Sequence, residues 1–234
     1  MNTSSQSSFK YLDIVAAFFV AILVVSNIAS SAKIVDLGVS LFSIRLAFDG
    51  GTLLFPLAYV LGDVLTEVYG FKTARRVIWT GFAALALTAL VFFVLGVLPP
   101  EAGWESEAGT DAYNAVLGGM SYGGIVLASL TAYLAGEFSN AAILSKLKVK
   151  MKGRLLFVRT IGSTLVGELL DTVIFVLIAS AAGVFGWELF WPLVLTNYIL
   201  KCGIEVLITP FTYWASRFLK RKEGVDVYDV KSGT

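Results

Sequence analysis

The chain has 234 residues, of which 57% are hydrophobic and only 15% are charged, and its mean hydropathy is +0.79. Because an average soluble domain carries about 25% charged residues, this composition excludes a soluble globular protein and predicts a surface that mostly faces lipid. The net charge of +1 gives no reason to expect nucleic-acid binding. The absence of histidine excludes histidine metal ligands and histidine-dependent catalysis, and the single cysteine, Cys202, cannot form an intrachain disulfide. We expect no bound metal and no cofactor.

Six apolar runs reach the length of about 20 residues that a membrane helix needs. Only helices and closed barrels satisfy the backbone inside hydrocarbon, and runs this continuously apolar indicate helices. The predicted fold class is an all-α membrane protein with a transmembrane domain at 11–216 and tails at 1–10 and 217–234. The first run is interpreted as an uncleaved helix because it is long enough to span and further spans follow. The six runs lie at 11–32, 51–70, 76–98, 119–145, 158–184 and 189–216.

Positive residues in the short connections predict the orientation of the spans. The 72–76 turn, the 146–159 connection and the C-terminal tail are rich in lysine and arginine, whereas the 99–118 connection has four acidic residues and no basic one. Both termini are therefore predicted on the cytoplasmic side. The first connection carries charges of both signs and alternates at 35–41, which suits either a hairpin on the membrane or an irregular loop.

Ionisable and amide side chains inside the predicted spans are the strongest functional signal, because charge in a membrane helix is costly and by default functional. Within most spans they recur every three or four residues, so they share one helix face. That face is predicted to point into the bundle and to line one polar cavity in the cytoplasmic half of the membrane. The set is Asn27, Asp63, Glu67, Glu137, Asn140, Glu168, Asp171, Asn197, Lys201 and Glu205.

The acids of this set outnumber its cations, even when Arg159 is added to Lys201. The surplus must be protonated, solvated or satisfied by a solute, and a solute rich in N–H donors would suit because a carboxylate accepts two parallel hydrogen bonds. A structural role is also open for some members. Lys201 could neutralise one carboxylate, and Glu67 could lie near Arg75 and Arg76 and lock helices together.

A short internal similarity suggests two inverted halves. Gly62–Val68 in the second run resembles Gly167–Val173 in the fifth, and Ser26–Asn27 is echoed by Ser139–Asn140. Both pairs lie three spans apart, so two three-helix units would have opposite orientations, as in many secondary transporters. The third and sixth runs show no convincing counterpart, and a chance match stays open.

Thr52–Pro56 followed by Gly62–Arg76 resembles the signature of the queuosine precursor transporter family, which is also grouped with vitamin uptake transporters. The resemblance covers nearly the whole chain and includes the terminal Asp226, Tyr228 and Asp229. It implies a bacterial inner-membrane importer of 7-cyano- and 7-aminomethyl-7-deazaguanine. The guanine-like edge of these bases would offer N–H donors to a carboxylate, and the aminomethyl form would add a positive charge.

With this resemblance, the polar set divides into expected roles. The substrate-facing acids are expected to be Asp63, Glu67, Glu137, Glu168 and Asp171. The amides Asn27, Asn140 and Asn197 are expected to be adaptable hydrogen-bond partners. Arg159, Lys201 and Glu205 are expected to serve structure or coupling, with Lys201 and Glu205 interpreted as a pair that holds the sixth span or takes part in coupling.

Other functions and assemblies remain open at this level. A substrate-binding subunit of an energy-coupling-factor vitamin transporter is also a small six-helix protein, and Ala17 and Ala21 could form its docking face. An enzyme is not expected, because Val60 interrupts the Gly-x-Gly-Asp pattern of intramembrane aspartyl proteases and no phosphate-binding loop is present. Proton-coupled transport and facilitated diffusion are both compatible with the chain. Glycine pairs at 118–119 and 123–124 leave a homodimer open.

Overall fold

The computed structural model describes residues 9–41, 44–121, 123–183 and 186–229. Short 3-10 turns at Gly50–Leu53 and Trp187–Leu189 precede two of the long helices. Within the described residues the helices are α1 (Leu12–Ala32), α2 (Phe55–Tyr69), α3 (Phe71–Val97), α4 (Ala102–Glu107), α5 (Gly109–Ser121), α6 (Gly123–Lys150), α7 (Leu156–Ala181) and α8 (Phe190–Glu223), and the strands are β1 (Ile34–Leu41) and β2 (Ile44–Asp49). Most of the predicted N-terminal tail, residues 1–8, lies outside the described residues.

Four helical segments have the length and apolar composition to cross a membrane. They are Leu12–Ala32, Phe71–Val97, Leu156–Ala181 and Trp187–Glu223. The prediction of a helical membrane protein is therefore confirmed, with one β-hairpin in addition. Counting six crossings would also require α2, which has only 15 residues, and α6, which is long enough but carries polar residues that lower its hydropathy.

Helix α2 packs against α1, α3, α6 and α8, and twelve of its fifteen residues are buried. Pro56 fits its first turn because a backbone N–H at that position has no partner within the helix. Gly70 ends the helix with φ +82°. Because neighbours cover it on nearly every side, α2 has little surface that must be apolar for contact with lipid. Its carboxylates can therefore be held inside the protein.

Helices α6 and α7 lie side by side and are joined by the 151–155 turn. Their backbones come so close that a Cβ built on Gly136 would lie 2.8 Å from Asp171 Cβ, and one built on Gly167 would lie 2.9 Å from Asn140 Cβ. Small residues permit this approach between membrane helices. The two glycines thus bring the polar faces of α6 and α7 together.

The 99–118 connection between two predicted spans is itself helical, since it folds as α4 and most of α5. Glu101 caps α4 by accepting a hydrogen bond from the Trp104 backbone N–H at 2.8 Å. The Tyr113 hydroxyl donates to the Phe92 carbonyl at 2.6 Å and joins α5 to α3. Hydropathy alone marked this stretch as polar and could not show its capping.

The first connection is an antiparallel hairpin of β1 and β2, which decides between the two predicted alternatives. Val35 lies opposite Phe48, and Leu41 lies opposite Ile44. The register shifts between Asp36 and Ser40, where Gly38 has φ +68°. A positive φ is readily adopted by glycine, so Gly38 accommodates the irregularity.

Helix α8 continues to Glu223, beyond the end of the predicted sixth run at residue 216. No glycine or proline interrupts its last two turns, and basic residues there interact favourably with the helix C-terminus. Gly224 then ends the helix in the left-handed conformation with φ +68°. We call the end of the bundle formed by Gly70, the 151–155 turn and Glu223 the basic end.

Candidate functional site

Polar side chains inside the bundle form two layers. Glu67 belongs to the layer nearer the basic end, and Asp63, one turn along α2 and about 6 Å deeper, belongs to the other. We name the first layer the ion network, which consists of Glu67, Lys148, Arg159, Lys220 and Asp226. We name the second the buried acid cluster, which consists of Asp63, Glu137, Asn140, Glu168, Asp171, Lys201 and Glu205.

Glu67 is the centre of the ion network. Arg159 places Nη1 2.5 Å from Oε2 and Nη2 3.1 Å from Oε1, and the Lys220 Nζ lies 2.6 Å from Oε1. Lys148 donates to the Glu67 backbone carbonyl at 2.6 Å and lies 4.0 Å from Oε1. Both carboxylate oxygens of Glu67 are thus bonded to cations from α7 and α8.

These partners differ from the ones that the sequence suggested for Glu67. Arg75 and Arg76 lie on an exposed part of α3, and the cations come instead from α6, α7 and α8. The reason is that Glu67 points into the bundle, where Arg159 is fully buried. The substrate-facing role of Glu67 stays a prediction, and in this conformation its charge is already compensated.

Asp63 and Asn140 join α2 to α6 within the buried acid cluster. Asn140 Nδ2 donates to Asp63 Oδ1 at 2.8 Å, and the two residues are 1% exposed or less. Among the described residues, Asp63 Oδ2 and Asn140 Oδ1 have no hydrogen-bond partner. This pair therefore presents two buried acceptor atoms that no donor from residues 9–41, 44–121, 123–183 or 186–229 reaches.

Glu137 and Glu205 add further unpartnered acceptors. Glu137 is 2% exposed and lies within electrostatic range of Glu168, Asp171 and Glu205. In the described part of the chain, no donor bonds to Glu137 Oε2 or to either carboxylate oxygen of Glu205. Gly62 makes room for Glu137, because a Cβ there would lie 3.0 Å from its Oε2.

Lys201 is the cation of the buried acid cluster, and its partners lie on α7. Its Nζ is 2.6 Å from Asp171 Oδ2 and 3.2 Å from Glu168 Oε2, and it lies 4.9 Å from the Phe55 ring centroid. The predicted pairing of Lys201 with Glu205 is therefore wrong. Their spacing puts both on one face of α8, but the long lysine side chain reaches across to the carboxylates of the neighbouring helix.

Two of the amide side chains predicted to bind substrate, those of Asn27 and Asn197, are not among the contacts of the buried acid cluster. Asn27 donates to the Leu23 carbonyl at 2.9 Å and accepts from the Ser129 hydroxyl at 2.8 Å, so its amide links α1 to α6. Asn197 lies one turn before Lys201 on α8 and is only partly buried. Their substrate-binding roles stay predictions.

Sequence reasoning did not single out several contributors to the two layers, and it named Tyr59 only among seven aromatic residues that could stack on a planar ring. Tyr59 is 3% exposed, and its hydroxyl lies 2.9 Å from the position of a Cβ on Gly136, beside the acids of α6 and α7. Lys220 belongs to a basic segment that indicated only orientation, whereas the segment that holds Lys148 also belonged to the family resemblance. Asp226 could be recognised from the sequence only as part of the family resemblance.

The predicted polar cavity is closed in this conformation. Asp63, Glu137, Glu168 and Glu205 are each 2% exposed or less, and the ion network covers them on the side of the basic end. A cavity of about 210 Å³ lies elsewhere, between α1, α2 and α8, and is lined by apolar residues. A solute can reach the acids only if helices or the ion network separate.

An apolar exterior surrounds this polar interior. Phe18, Leu207 and Trp214 are 61%, 79% and 59% exposed, as expected for side chains that face lipid. Buried ionisable groups in a membrane helix bundle are typical of solute pathways. The chain is therefore a membrane transport protein.

Residues 49–215 match the family described as "Putative vitamin uptake transporter", and the chain belongs to that family.

Its relatives carry related descriptions. The chain is 28% identical to the "Probable queuosine precursor transporter" of Bacillus subtilis (strain 168) over 174 residues, which covers 74% of this chain and 73% of the relative. It is 25% identical to the "Queuosine precursor transporter" of Escherichia coli (strain K12) over 209 residues, covering 88% and 87%. These matches confirm the resemblance seen at Gly62–Arg76. No solved structure gives a significant match to the chain.

Proposed function

We propose that this protein is a membrane transporter that imports queuosine precursors, the 7-cyano and 7-aminomethyl derivatives of 7-deazaguanine, and that the buried acid cluster is its substrate site. The observation that carries the site assignment is the surplus of acceptor atoms on Asp63, Glu137, Asn140 and Glu205. A buried polar atom without a partner costs about 1–3 kcal/mol. A ligand that brings several N–H donors would remove that cost. Family membership and the descriptions of the relatives support the choice of solute.

The donor pattern of a guanine-like base suits the acceptors of the cluster. Its edge carries neighbouring N–H groups, and the linked pair of Asp63 and Asn140 offers two acceptors, one from each residue. Glu137 lies on the same helix as Asn140, three residues earlier, and can accept a further bond. The buried ring of Tyr59 is available to pack on a flat base.

The proposal includes a location and a topology. The protein lies in the bacterial inner membrane with six crossings, lipid around its apolar exterior, and both termini and the basic end in the cytoplasm. The basic connections favour this orientation. Two inverted three-helix halves and alternating access are part of the same proposal. A homodimer remains a prediction.

The test is uptake into vesicles that contain the purified chain alone. Labelled 7-cyano-7-deazaguanine is supplied, with guanine and the aminomethyl base as competitors. We expect wild-type uptake that both queuosine precursors inhibit, and strongly reduced uptake by Glu137→Gln. Glu188→Gln, an exposed acid outside the cluster, is the matched control.

The outcomes separate the alternatives. Uptake by the isolated chain excludes the substrate-binding-subunit interpretation, because that subunit requires separate ATPases. Normal transport by Glu137→Gln would show that the acid cluster is not the substrate site. Uptake that is unchanged when a pH gradient is collapsed would rule out proton coupling and favour facilitated diffusion.

A further inference from the structure

The segment Val225–Asp229, which we name the strap, crosses the basic end of the bundle after α8. Gly224 turns the chain there, and the Val227 backbone N–H donates to the Val68 carbonyl at 3.3 Å. Asp226, Tyr228 and Asp229 of this segment belong to the family resemblance, yet the proposed substrate site makes no use of them. Their contacts indicate a separate role.

Asp226 binds the same lysines as Glu67. Its Oδ1 lies 2.5 Å from the Lys148 Nζ and 2.9 Å from the Lys220 Nζ. The Glu67 side chain is 1% exposed, whereas that of Asp226 is 42% exposed. The strap thus adds an outer carboxylate to a buried ion network.

Other strap residues bind all around the basic end. Lys148 also donates to the Val227 carbonyl at 2.6 Å and lies 4.5 Å from the Tyr228 ring centroid. Asp229 Oδ2 accepts from the Phe71 backbone N–H and from the Ser145 hydroxyl, each at 2.7 Å. The strap therefore contacts the junction of α2 and α3, the end of α6 and the end of α8.

Two glycines shape the surface on which the strap lies. Gly70 and Gly153 have φ values of +82° and +72°. A Cβ on Gly70 would lie 2.7 Å from Val227 Cγ1, and one on Gly153 would overlap the Tyr228 hydroxyl. The absence of side chains at both positions lets the strap lie directly against the bundle.

The strap can leave without breaking the buried core of the network. Glu67 keeps its bonds to Arg159 and Lys220, and Lys148 keeps its bond to the Glu67 carbonyl. The contacts that would be lost are part-buried, since the Lys148 side chain is 2% exposed and that of Asp226 is 42% exposed. Glu223 holds the base of the strap, because it accepts from the Lys10 and Tyr11 backbone N–H groups and from the Tyr69 hydroxyl.

We infer that the strap is a gate of the transport pathway at the basic end and that Asp226 holds the gate closed. The strap lies over Glu67, because Asp226 binds the same lysines that contact Glu67. Glu67 is one helical turn from Asp63 of the buried acid cluster. While the strap is bound, Asp226 holds Lys148 and Lys220 in place above Glu67, and the path from the buried acid cluster to this end stays closed. Release of the strap about Gly224 frees Lys148 and Lys220 from Asp226, and it precedes the separation of the ion network that lets solute exchange with the solution there. This inference rests on the proposed transport function but not on the identity of the solute.

The first test measures access without any substrate. In a Cys202→Ser background, Thr66→Cys introduces a buried thiol on α2 beside Glu67. We expect a water-soluble thiol reagent applied from the basic end to react at least threefold faster when Asp226→Asn is added. Asp13→Asn, an exposed acid at the start of α1, is the matched control. An unchanged reaction rate in Asp226→Asn would overturn the gate.

The second test locks the strap in the folded protein. Ser145→Cys and Asp229→Cys, also in the Cys202→Ser background, are joined by a short, reducible bifunctional thiol reagent. We expect uptake by the double variant to fall at least tenfold after treatment and to return after reduction, while each single-cysteine variant has the same uptake rate before and after treatment with the reagent. Full uptake with the cross-link in place would overturn the gate. Failure of the untreated double variant and of wild type to take up the base would count against the proposed solute, and the thiol-access test would still decide the gate.

Discussion

Arg159 donates two hydrogen bonds to Glu67, from Nη1 to Oε2 at 2.5 Å and from Nη2 to Oε1 at 3.1 Å, and both side chains are at most 1% exposed. The pair joins the start of α7 to the end of α2 across 92 residues of sequence. Only arginine offers this paired geometry, because its guanidinium donors are planar and fixed. The pair therefore distinguishes Glu67, whose charge is compensated by cations in this conformation, from the acids of the buried acid cluster.

Removal of this pair should destabilise the protein. Breaking a buried ion pair by removing one partner typically costs about 3–5 kcal/mol. We expect Arg159→Gln to fall at the low end of that range because Lys220 still binds Glu67. Thermal unfolding in detergent measures the change. Arg75→Gln, at an exposed position, should change stability by no more than about 0.5 kcal/mol. Equal melting temperatures for the two variants would contradict the structural role.

Glu67→Gln and Glu137→Gln should have different effects, although each replaces one buried carboxyl group by an amide. Glu137 has an oxygen that no described residue bonds to, so its replacement should raise KM for the base at least tenfold and leave the melting temperature unchanged or higher. Glu67 holds two cations, so its replacement should lower the melting temperature. Uptake kinetics and thermal unfolding of the same preparations distinguish them. The reverse pattern would place the substrate at Glu67.

Lys201 should influence the choice between neutral and positively charged bases. Its ammonium occupies the space between Asp171 and Glu168, where the amine of the aminomethyl base would find the same partners. We expect Lys201→Met to shift the ratio of kcat/KM values at least tenfold toward the aminomethyl base. Lys201→Arg keeps the charge and is the control. An unchanged ratio in Lys201→Met would show that this ion pair does not contribute to selectivity.

Gly136 and Gly167 should tolerate no side chain. An added methyl group at either position meets atoms of the neighbouring helix at 2.8 or 2.9 Å. Overpacking of this kind costs about 1–3 kcal/mol, so alanine at either position should lower the melting temperature. Gly203→Ala is the control, because no heavy atom lies within 4 Å of its Cβ position. A similar loss of stability in all three variants would indicate helix flexibility instead of packing as the cause.

The strap should remain bound down to strongly acidic pH. Burial alone raises the pKa of Asp226, but hydrogen bonds from Lys148 and Lys220 and the charges of both lysines lower it by more. A lowered pKa means that the stabilisation is fully present above the ordinary aspartate value of about 3.9 and is lost as the pH falls through the lowered value. Fluorescence of a dye attached to Val225→Cys should therefore be constant between about pH 5 and 8. A transition in that range would point to another titrating group.

Much of the architecture could be predicted because its signals are local. The hydropathy of Leu12–Ala32 or Phe71–Val97 reflects its lipid surroundings, and the spacing of Glu168 and Asp171 places both on one helix face whatever the neighbours are. Hairpin formation at Ile34–Asp49 was one of two predicted alternatives, and the structure decided between them. The helical nature of the 99–118 connection was missed because it depends on a cap at Glu101 and on contacts with α3.

The amino-acid sequence by itself determined that this is a membrane protein and that acidic side chains outnumber basic ones within its predicted spans. Only the tertiary structure decided which acids are compensated. Lys220 meets Glu67 across 153 residues, and Lys201 bonds to Asp171 instead of Glu205. Such pairs depend on how far a flexible side chain reaches between helices that are distant in sequence, and no local pattern records that distance. The unpartnered oxygens of Glu137 and Glu205 could be identified only after those pairs were known.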